Sequence, residues 1–324
     1  MSSIPYSRYL IYPVPWYSFL IMIGASVAIF LASRNARRIG LPKDTVLDLA
    51  LWVLPCGIIG ARLYYVLFSW NQFCEDPLAV LRIWEGGLAI YGGLVAGLIA
   101  LFVFCRKRSL SALLLCDLLV PGVSLAQSIG RWGNWFNIEA YGITVTRQSL
   151  CFFPFAIQVP EDHFAWHLAT FFFESVWDFA VFLFLISLRR RHHRKKGDLL
   201  FLYLFLYASG RAVIEELRVD SLYASSVRIS QFLSVILCIC ILFRYVHISY
   251  RQRQLSRMVQ FCLFPLSVLA SAVILFFILS KKSFIAWPAG RTVLLLSVYA
   301  VTMILCMLSV YFPLTSEEVS NAND

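Results

Sequence analysis

One short stretch concentrates groups that can do chemistry. Residues 130–142 read Gly130-Arg131-Trp132-Gly133-Asn134-Trp135-Phe136-Asn137-Ile138-Glu139-Ala140-Tyr141-Gly142. Arginine presents a planar fork of N–H donors suited to phosphate. Asn134 and Asn137 can bond hydroxyls or phosphate oxygens, and Glu139 can hold the guanidinium or move a proton. Gly130, Gly133 and Gly142 permit backbone turns and close approach of a ligand. This composition suits the polar, phosphorylated headgroup of a lipid. A decorated interfacial turn would carry the same residues, so composition alone leaves both readings open.

Two further stretches carry polar groups at the edges of apolar runs. In Gly210-Arg211-Ala212-Val213-Ile214-Glu215-Glu216, Arg211 and Glu215 are four apart and share a helix face. An ordinary helix-end salt bridge would need the same spacing. In Trp84-Glu85-Gly86-Gly87-Leu88-Ala89-Ile90-Tyr91-Gly92-Gly93, paired glycines open an apolar run and Tyr91 offers a hydroxyl. Small-residue helix packing and an interfacial tyrosine explain that stretch equally well.

The elements that must position these groups are membrane spans. Of the 324 residues, 60% are hydrophobic and only 14% charged, whereas soluble domains average about 25% charged. Residues 9–33 carry no charge and can cross a hydrocarbon core about 30 Å thick. Further apolar runs lie near 48–70, 86–105, 110–130, 165–188, 198–215, 229–246, 258–280 and 292–314. Several hold ionisable groups: Arg62, Asp117, Glu174, Asp178 and Arg211. Charges at membrane depth are costly and mark candidate functional sites; for Asp117 and Asp178 taken alone, a buried structural ion pair is the preferred reading.

The net charge is +10, from 28 Lys and Arg against 18 Asp and Glu. The basic residues fall in loops 34–47, 106–109, 189–197 and 247–257, which alternate with mixed or acidic loops 71–85, 131–164 and 216–228. This alternation predicts an outer N-terminus and cytoplasmic basic loops. It also puts all three polar stretches on the outer side. Lys281, Lys282 and Arg291 dissent, since an eighth and ninth span would place them outside. The acidic tail, with Glu317, Glu318 and Asp324, would lie inside. Loop 131–164 is long, weakly charged and aromatic, and predicts short amphipathic elements in the interface.

Loop-confined basic residues are not the basic face that nucleic-acid binding requires. The nine cysteines form no CxxC pair and no zinc spacing. Most sit in apolar runs, while Cys74 and Cys151 lie in or beside outer loops and could pair. The first apolar run lacks the basic flank and small-residue cleavage site of a signal peptide. No internal repeat is evident, which weighs against an inverted-repeat transporter. A lipid or anion transporter would also need polar groups reaching both faces.

These stretches resemble the prolipoprotein diacylglyceryl transferases of bacteria. The family signature runs Gly-Arg-x-(Gly/Ala)-Asn-Phe-(apolar)-Asn-x-Glu-x-x-Gly, and residues 130–142 match it except at Trp135, where Phe is usual. Trp16-Tyr17, Gly60-Ala61-Arg62-Leu63-Tyr64-Tyr65, Gly86 to Gly93, Arg211 to Asp220 and Ser230-Gln231 are similar in order and spacing. The resemblance covers about residues 10–246. It implies an all-α, polytopic membrane protein with seven family-like spans in a core of residues 1–250. Residues 251–324 would then be an extension with two spans.

The resemblance also implies an outward-facing enzyme of the bacterial plasma membrane. Its substrates would be phosphatidylglycerol and the lipobox cysteine of a prolipoprotein, its products a thioether and glycerol phosphate. It implies no metal and no soluble cofactor. Carried over by motif, the residues that matter are Tyr17, Arg131, Asn134, Glu139, Gly142, Arg211 and Glu215. Tyr91 joins the catalytic candidates, and Asn137 and Arg62 the headgroup candidates. Arg131 and Arg211 would neutralise charge on the leaving phosphate, with Glu139 and Glu215 orienting them. The thiol base is open among Glu139, Tyr91 and a leaving-group oxygen.

The chain departs from the family pattern in three places. Tyr91-Gly92-Gly93 stands where many members have His-Gly-Gly, and Phe173-Glu174 enters the fifth span without the usual Pro and Tyr. Residues 255–324 run beyond the usual end of the family.

Overall fold

The structure, a computed structural model, describes residues 7–189, 195–221, 223–224, 227–252, 258–279 and 289–320. Several basic positions of the topology argument (190–194, Arg253, Arg257, Lys281 and Lys282) and Asp324 lie outside these residues. Nine α-helices occur among the described residues: α1 (Trp16–Arg38), α2 (Thr45–Phe68), α3 (Ile90–Lys107), α4 (Ala112–Asn137), α5 (Thr170–Arg189), α6 (Asp198–Leu217), α7 (Ile229–Arg251), α8 (Phe264–Leu279) and α9 (Ala289–Ser320). Three two-stranded antiparallel ribbons accompany them: β1–β2 (Tyr9–Ile11, Val14–Pro15), β3–β4 (Ala156–Val159, Ala165–Leu168) and β5–β6 (Tyr223–Ala224, Val227–Arg228).

The all-helical expectation holds, but the spans are allotted differently. Seven helices are long and apolar enough to cross a membrane: α1 to α5, α7 and residues 292–312 of α9. The sixth, α6, is not among them. It carries Asp198, Arg211, Glu215 and Glu216, and buries most of its length against the protein. A helix whose charges find protein partners need not be apolar all round. The apolar part of α8 is short, Phe264–Phe276, and follows a π-helical turn at Val259–Leu263.

Local chemistry explains the shifted boundaries. The first span begins at Trp16 rather than residue 9, because residues 9–15 form the β1–β2 ribbon around Pro13 and Pro15. The third begins at Ile90 rather than 86, because Gly86 and Gly87 take φ of +98° and +70°. The fourth runs on through the signature to Asn137. Of the segment 131–164, expected as interfacial amphipathic elements, the start belongs to α4 and the end to the β3–β4 hairpin. Its Ile157 and Val159 pack with Phe171 against Trp132, Trp135 and Tyr141.

The chain divides into two compact units: Ala28–Leu119, and the described residues on either side of it. In the first, α2 and α3 touch backbone to backbone at small residues. A Cβ on Gly60 would lie 2.7 Å from the Gly92 carbonyl oxygen, and one on Gly92 2.4 Å from that of Gly60. Small-residue packing therefore accounts for part of the Gly86–Gly93 stretch. Ala32, Val46, Leu49, Leu101, Phe104 and Leu115 fill that unit's core. In the second unit one core joins α5, α6, α7, α8 and α9, with Leu202, Phe205, Val235, Tyr299, Met303 and Tyr311 all nearly inaccessible. This packing continues across the boundary that the sequence places at residue 250. Cys74 and Cys151 are free thiols.

Candidate active site

The second unit gathers charge where α4, α5 and α6 meet. On α4, residues 124, 128 and 132 recur every four positions and face α5. Ser124 donates to the Asp178 carbonyl at 2.7 Å, Ser128 to the Ser175 carbonyl at 2.9 Å, and the Trp132 indole to the Ser175 hydroxyl at 3.1 Å. This seam fixes the register that presents Arg131 to α5. On α5, Glu174 and Asp178 are one turn apart on the same face, with side chains only 5% and 4% exposed. Gly210 on α6 leaves room for Trp177, whose indole donates to the Leu206 carbonyl at 3.0 Å.

Glu174 is the hub. Its Oε2 lies 2.9 Å from Arg131 Nη1. Its Oε1 pairs with Arg211 and lies 3.2 Å from Arg218 Nη1. Arg211 is also held by Glu215 at 2.6 Å, the spacing-four pair expected from sequence. Arg218 forks onto Asp220 at 3.0 and 2.8 Å. Burial opposes the charge of Arg218, but Asp220 and Glu174 outweigh it and hold its proton more tightly than an ordinary guanidinium does. Asp178 is more loosely engaged, with Oδ2 3.9 Å from Arg131 Nε. Arg131, Glu174, Trp177, Asp178, Tyr207, Arg211 and Ile214 line a small open pocket of about 10 Å³, room for one water.

A three-stranded crossing joins this cluster to the end of the signature. Gly142 donates to the Leu168 carbonyl at 2.8 Å, Ile143 to that of Leu217 at 2.9 Å, and Val145 to that of Trp166 at 2.7 Å. Gly142 thus pairs with β4 on one side and with Arg218 on the other. A Cβ at Gly142 would stand 2.7 Å from the Leu217 carbonyl oxygen, so only glycine fits between the two flanking segments. His167 holds the Gly142 carbonyl, its Nδ1 2.9 Å from Gly142 O and its Nε2 2.8 Å from Asp162.

The expected Arg131, Arg211 and Glu215 therefore meet, but around Glu174. Glu139 is exposed at the end of α4, where the Asn137 amide donates to it at 3.1 Å; the partners of Arg131 are Glu174 and Asp178. The Asn137 side-chain oxygen is buried and accepts no hydrogen bond. The Asn134 carbonyl accepts from the Glu139 amide at 3.0 Å, closing the helix end. Tyr17 packs on Gly133, within the electrostatic reach of both Glu139 and Arg131.

The family whose profile is described as prolipoprotein diacylglyceryl transferase matches residues 7–247. The chain belongs to the prolipoprotein diacylglyceryl transferase family. Curated relatives named phosphatidylglycerol--prolipoprotein diacylglyceryl transferase agree with it over the same region. The one from Enterococcus faecalis is 46% identical over 230 residues, covering 69% of this chain and 83% of the relative. The one from Streptococcus mutans is 44% identical over 230 residues, 70% of this chain and 87% of the relative. The Streptococcus agalactiae serotype V protein is 41% identical over 246 residues, 75% and 93%. With seven apolar helices, this family member is a multi-pass membrane protein.

Tyr91 and Arg62 lie in the Ala28–Leu119 unit. Tyr91 is in the first turn of α3, 39% exposed. Arg62, expected at the headgroup, is a loop anchor. Its five N–H groups reach the carbonyls of Ala79, Val80, Arg82, Gly86 and Gly87 at 2.6–3.4 Å, which leaves none for a ligand in this arrangement. The chain's departures from the family at Tyr91 and Phe173 leave the Glu174 hub in place. Sequence reading marks Glu174 and Asp178 only as ionisable groups inside a span, prefers a structural ion pair for Asp178 taken alone, and does not single out Arg218. The available signal was the spacing of Glu174 and Asp178, two carboxylates one turn apart inside an apolar run.

Proposed function

We propose that this protein transfers the diacylglyceryl group of phosphatidylglycerol to the lipobox cysteine thiol of prolipoproteins. The thiol sulfur bonds to C3 of the diacylglyceryl moiety, the C3–O bond breaks, and glycerol phosphate leaves. The observation that carries this reading is the family match together with two partly buried arginines, Arg131 and Arg211, bound to one buried carboxylate. Negative charge grows on the leaving phosphate as the C–O bond breaks. Guanidinium groups already oriented by Glu174 and Glu215 can accept it without reorganising. Arg218, also on Glu174, adds a third positive charge.

Asn134, Asn137 and Gly142 are the proposed headgroup contacts, with Tyr17 and Glu139 beside them. Tyr91 is a further proposed catalytic contributor. The basic helix ends Arg37-Arg38 and Arg106-Lys107 support cytoplasmic placement of those ends. The active site then faces the outer side of the bacterial plasma membrane, where a lipobox precursor presents its cysteine.

The test uses purified protein in detergent, phosphatidylglycerol and a lipobox peptide, read by mass spectrometry. The expected product is a peptide carrying one diacylglyceryl group on cysteine, absent with a Cys-less peptide and nearly absent with Arg131→Ala. An unmodified peptide from folded protein would defeat the reading.

A further inference from the structure

We infer that Asp178 is the proton acceptor for the attacking thiol, an assignment that rests on the transferase reading above. The reaction needs a thiolate, since the thiol itself is a poor nucleophile. Three carboxylates surround the two arginines, and they differ in how fully they are engaged. Glu174 has three guanidinium groups on it, one at 2.9 Å and one at 3.2 Å. Glu215 has Arg211 at 2.6 Å. Among the described residues the nearest guanidinium to Asp178 is that of Arg131, at 3.9 Å, beyond hydrogen-bond reach, with Arg211 acting at longer range.

Among the described residues Asp178 Oδ2 is buried and accepts no hydrogen bond; Glu174 Oε2 and Glu215 Oε2 share that feature, but a guanidinium nitrogen lies 2.9 and 2.6 Å from them. Asp178 also lines the one-water pocket beside Arg131, Arg211, Trp177 and Tyr207. A buried carboxylate oxygen with free lone pairs, next to the cations that would hold the leaving group, is the arrangement a general base requires. Glu139 is exposed at a helix end, and Tyr91 is an exposed phenol in the first turn of α3.

The proton balance is simple. The cysteine S–H proton passes to Asp178 Oδ2, directly or through one water in the pocket. The sulfur forms its bond to C3, and the C3–O electron pair leaves with glycerol phosphate. Protonated Asp178 then returns its proton to the departing phosphate or to water, which resets the site. The charged and titratable groups facing Asp178 are Arg131 from α4, Glu174 from its own helix, and Arg211, Tyr203 and Tyr207 from α6.

The test measures thioether formation with phosphatidylglycerol and a lipobox peptide between pH 5.5 and 9 (assay settings, roughly spanning carboxylate and thiol titration). Wild type, Asp178→Asn and Asp178→Glu are compared, with phosphatidylglycerol binding measured for each. For Asp178→Asn the expected loss at neutral pH is roughly 10²–10⁴-fold, with lipid binding little changed. Its rate should then climb about tenfold per pH unit toward the free thiol pKa near 8.5, because solvent now removes the proton. Asp178→Glu should keep a base and lack that climb.

A deficit in Asp178→Asn that is equal at every pH would mark Asp178 as merely structural and overturn the assignment. So would a rate within about threefold of wild type at neutral pH. If Asp178→Asn fails to bind lipid, the Asp178→Glu profile decides: a slope like that of uncatalysed thiol ionisation overturns the proposal. No thioether from wild type would instead overturn the transferase reading itself.

Discussion

Glu174 carries more of this site than its sequence context suggests. It stands in an apolar run, after a phenylalanine where the family usually has tyrosine. Yet it is the carboxylate that Arg131, Arg211 and Arg218 share. Removing one partner of a buried ion pair typically costs about 3–5 kcal/mol, because the others are left buried and uncompensated. Glu174→Ala should therefore lower the thermal midpoint in detergent and abolish transfer together. Arg131→Lys should preserve the fold and bind phosphatidylglycerol but lose the fork, cutting turnover by roughly 10²-fold or more. A Lys variant with near-normal turnover would remove forked contact from the mechanism. Arg131, Arg211 and Glu215 were legible because their types and spacing are local facts. The hub was not, because a pairing between helices forty residues apart in sequence leaves no local trace.

At the scale of elements, the short irregular pieces position the site as much as the helices do. The segment 141–145 runs between β4 and residues 217–219, and so ties the end of the signature to Arg218. Gly142→Ala would bring a Cβ to 2.7 Å from the Leu217 carbonyl oxygen. The strands must part, and Arg218 moves with them. Transfer should fall steeply while the helices stay folded, which circular dichroism beside the mass-spectrometric assay would reveal. Each of the nine expected apolar runs overlaps one of the nine described helices, because apolar length is the strongest signal in the sequence. Within 131–164, Trp132 and Trp135 pack the hairpin onto α4, which patterning does not show, while Phe152, Phe153 and Phe155 stay exposed. Patterning also could not foresee that the charges of α6 would be satisfied inside the protein.

For the molecule as a whole, the open matter is residues 258–320, which lie beyond the family match ending at 247. Sequence reading treats them as an extension to a complete core. The packing ties them closely to that core. Tyr299, Met303, Cys306, Met307 and Val310 of α9 are inaccessible, and they share one cluster with Leu202 and Phe205 of α6 and Val235 and Cys238 of α7. Arg211 and Glu215 sit on that same α6. Where lipid replaces water, helix association rests on close packing rather than on the hydrophobic effect, so a lost neighbour is felt through lost contacts. A chain ending at residue 252 should thus unfold at lower temperature and show reduced transfer, although it keeps every residue of the proposed site. Met303→Ala within the full chain should cost about 2–5 kcal/mol by opening a cavity against α6 and α7. Equal thermal midpoints for the full and shortened chains would mean that α6 is held by α5 and α7 alone. The extension would then be dispensable to the site.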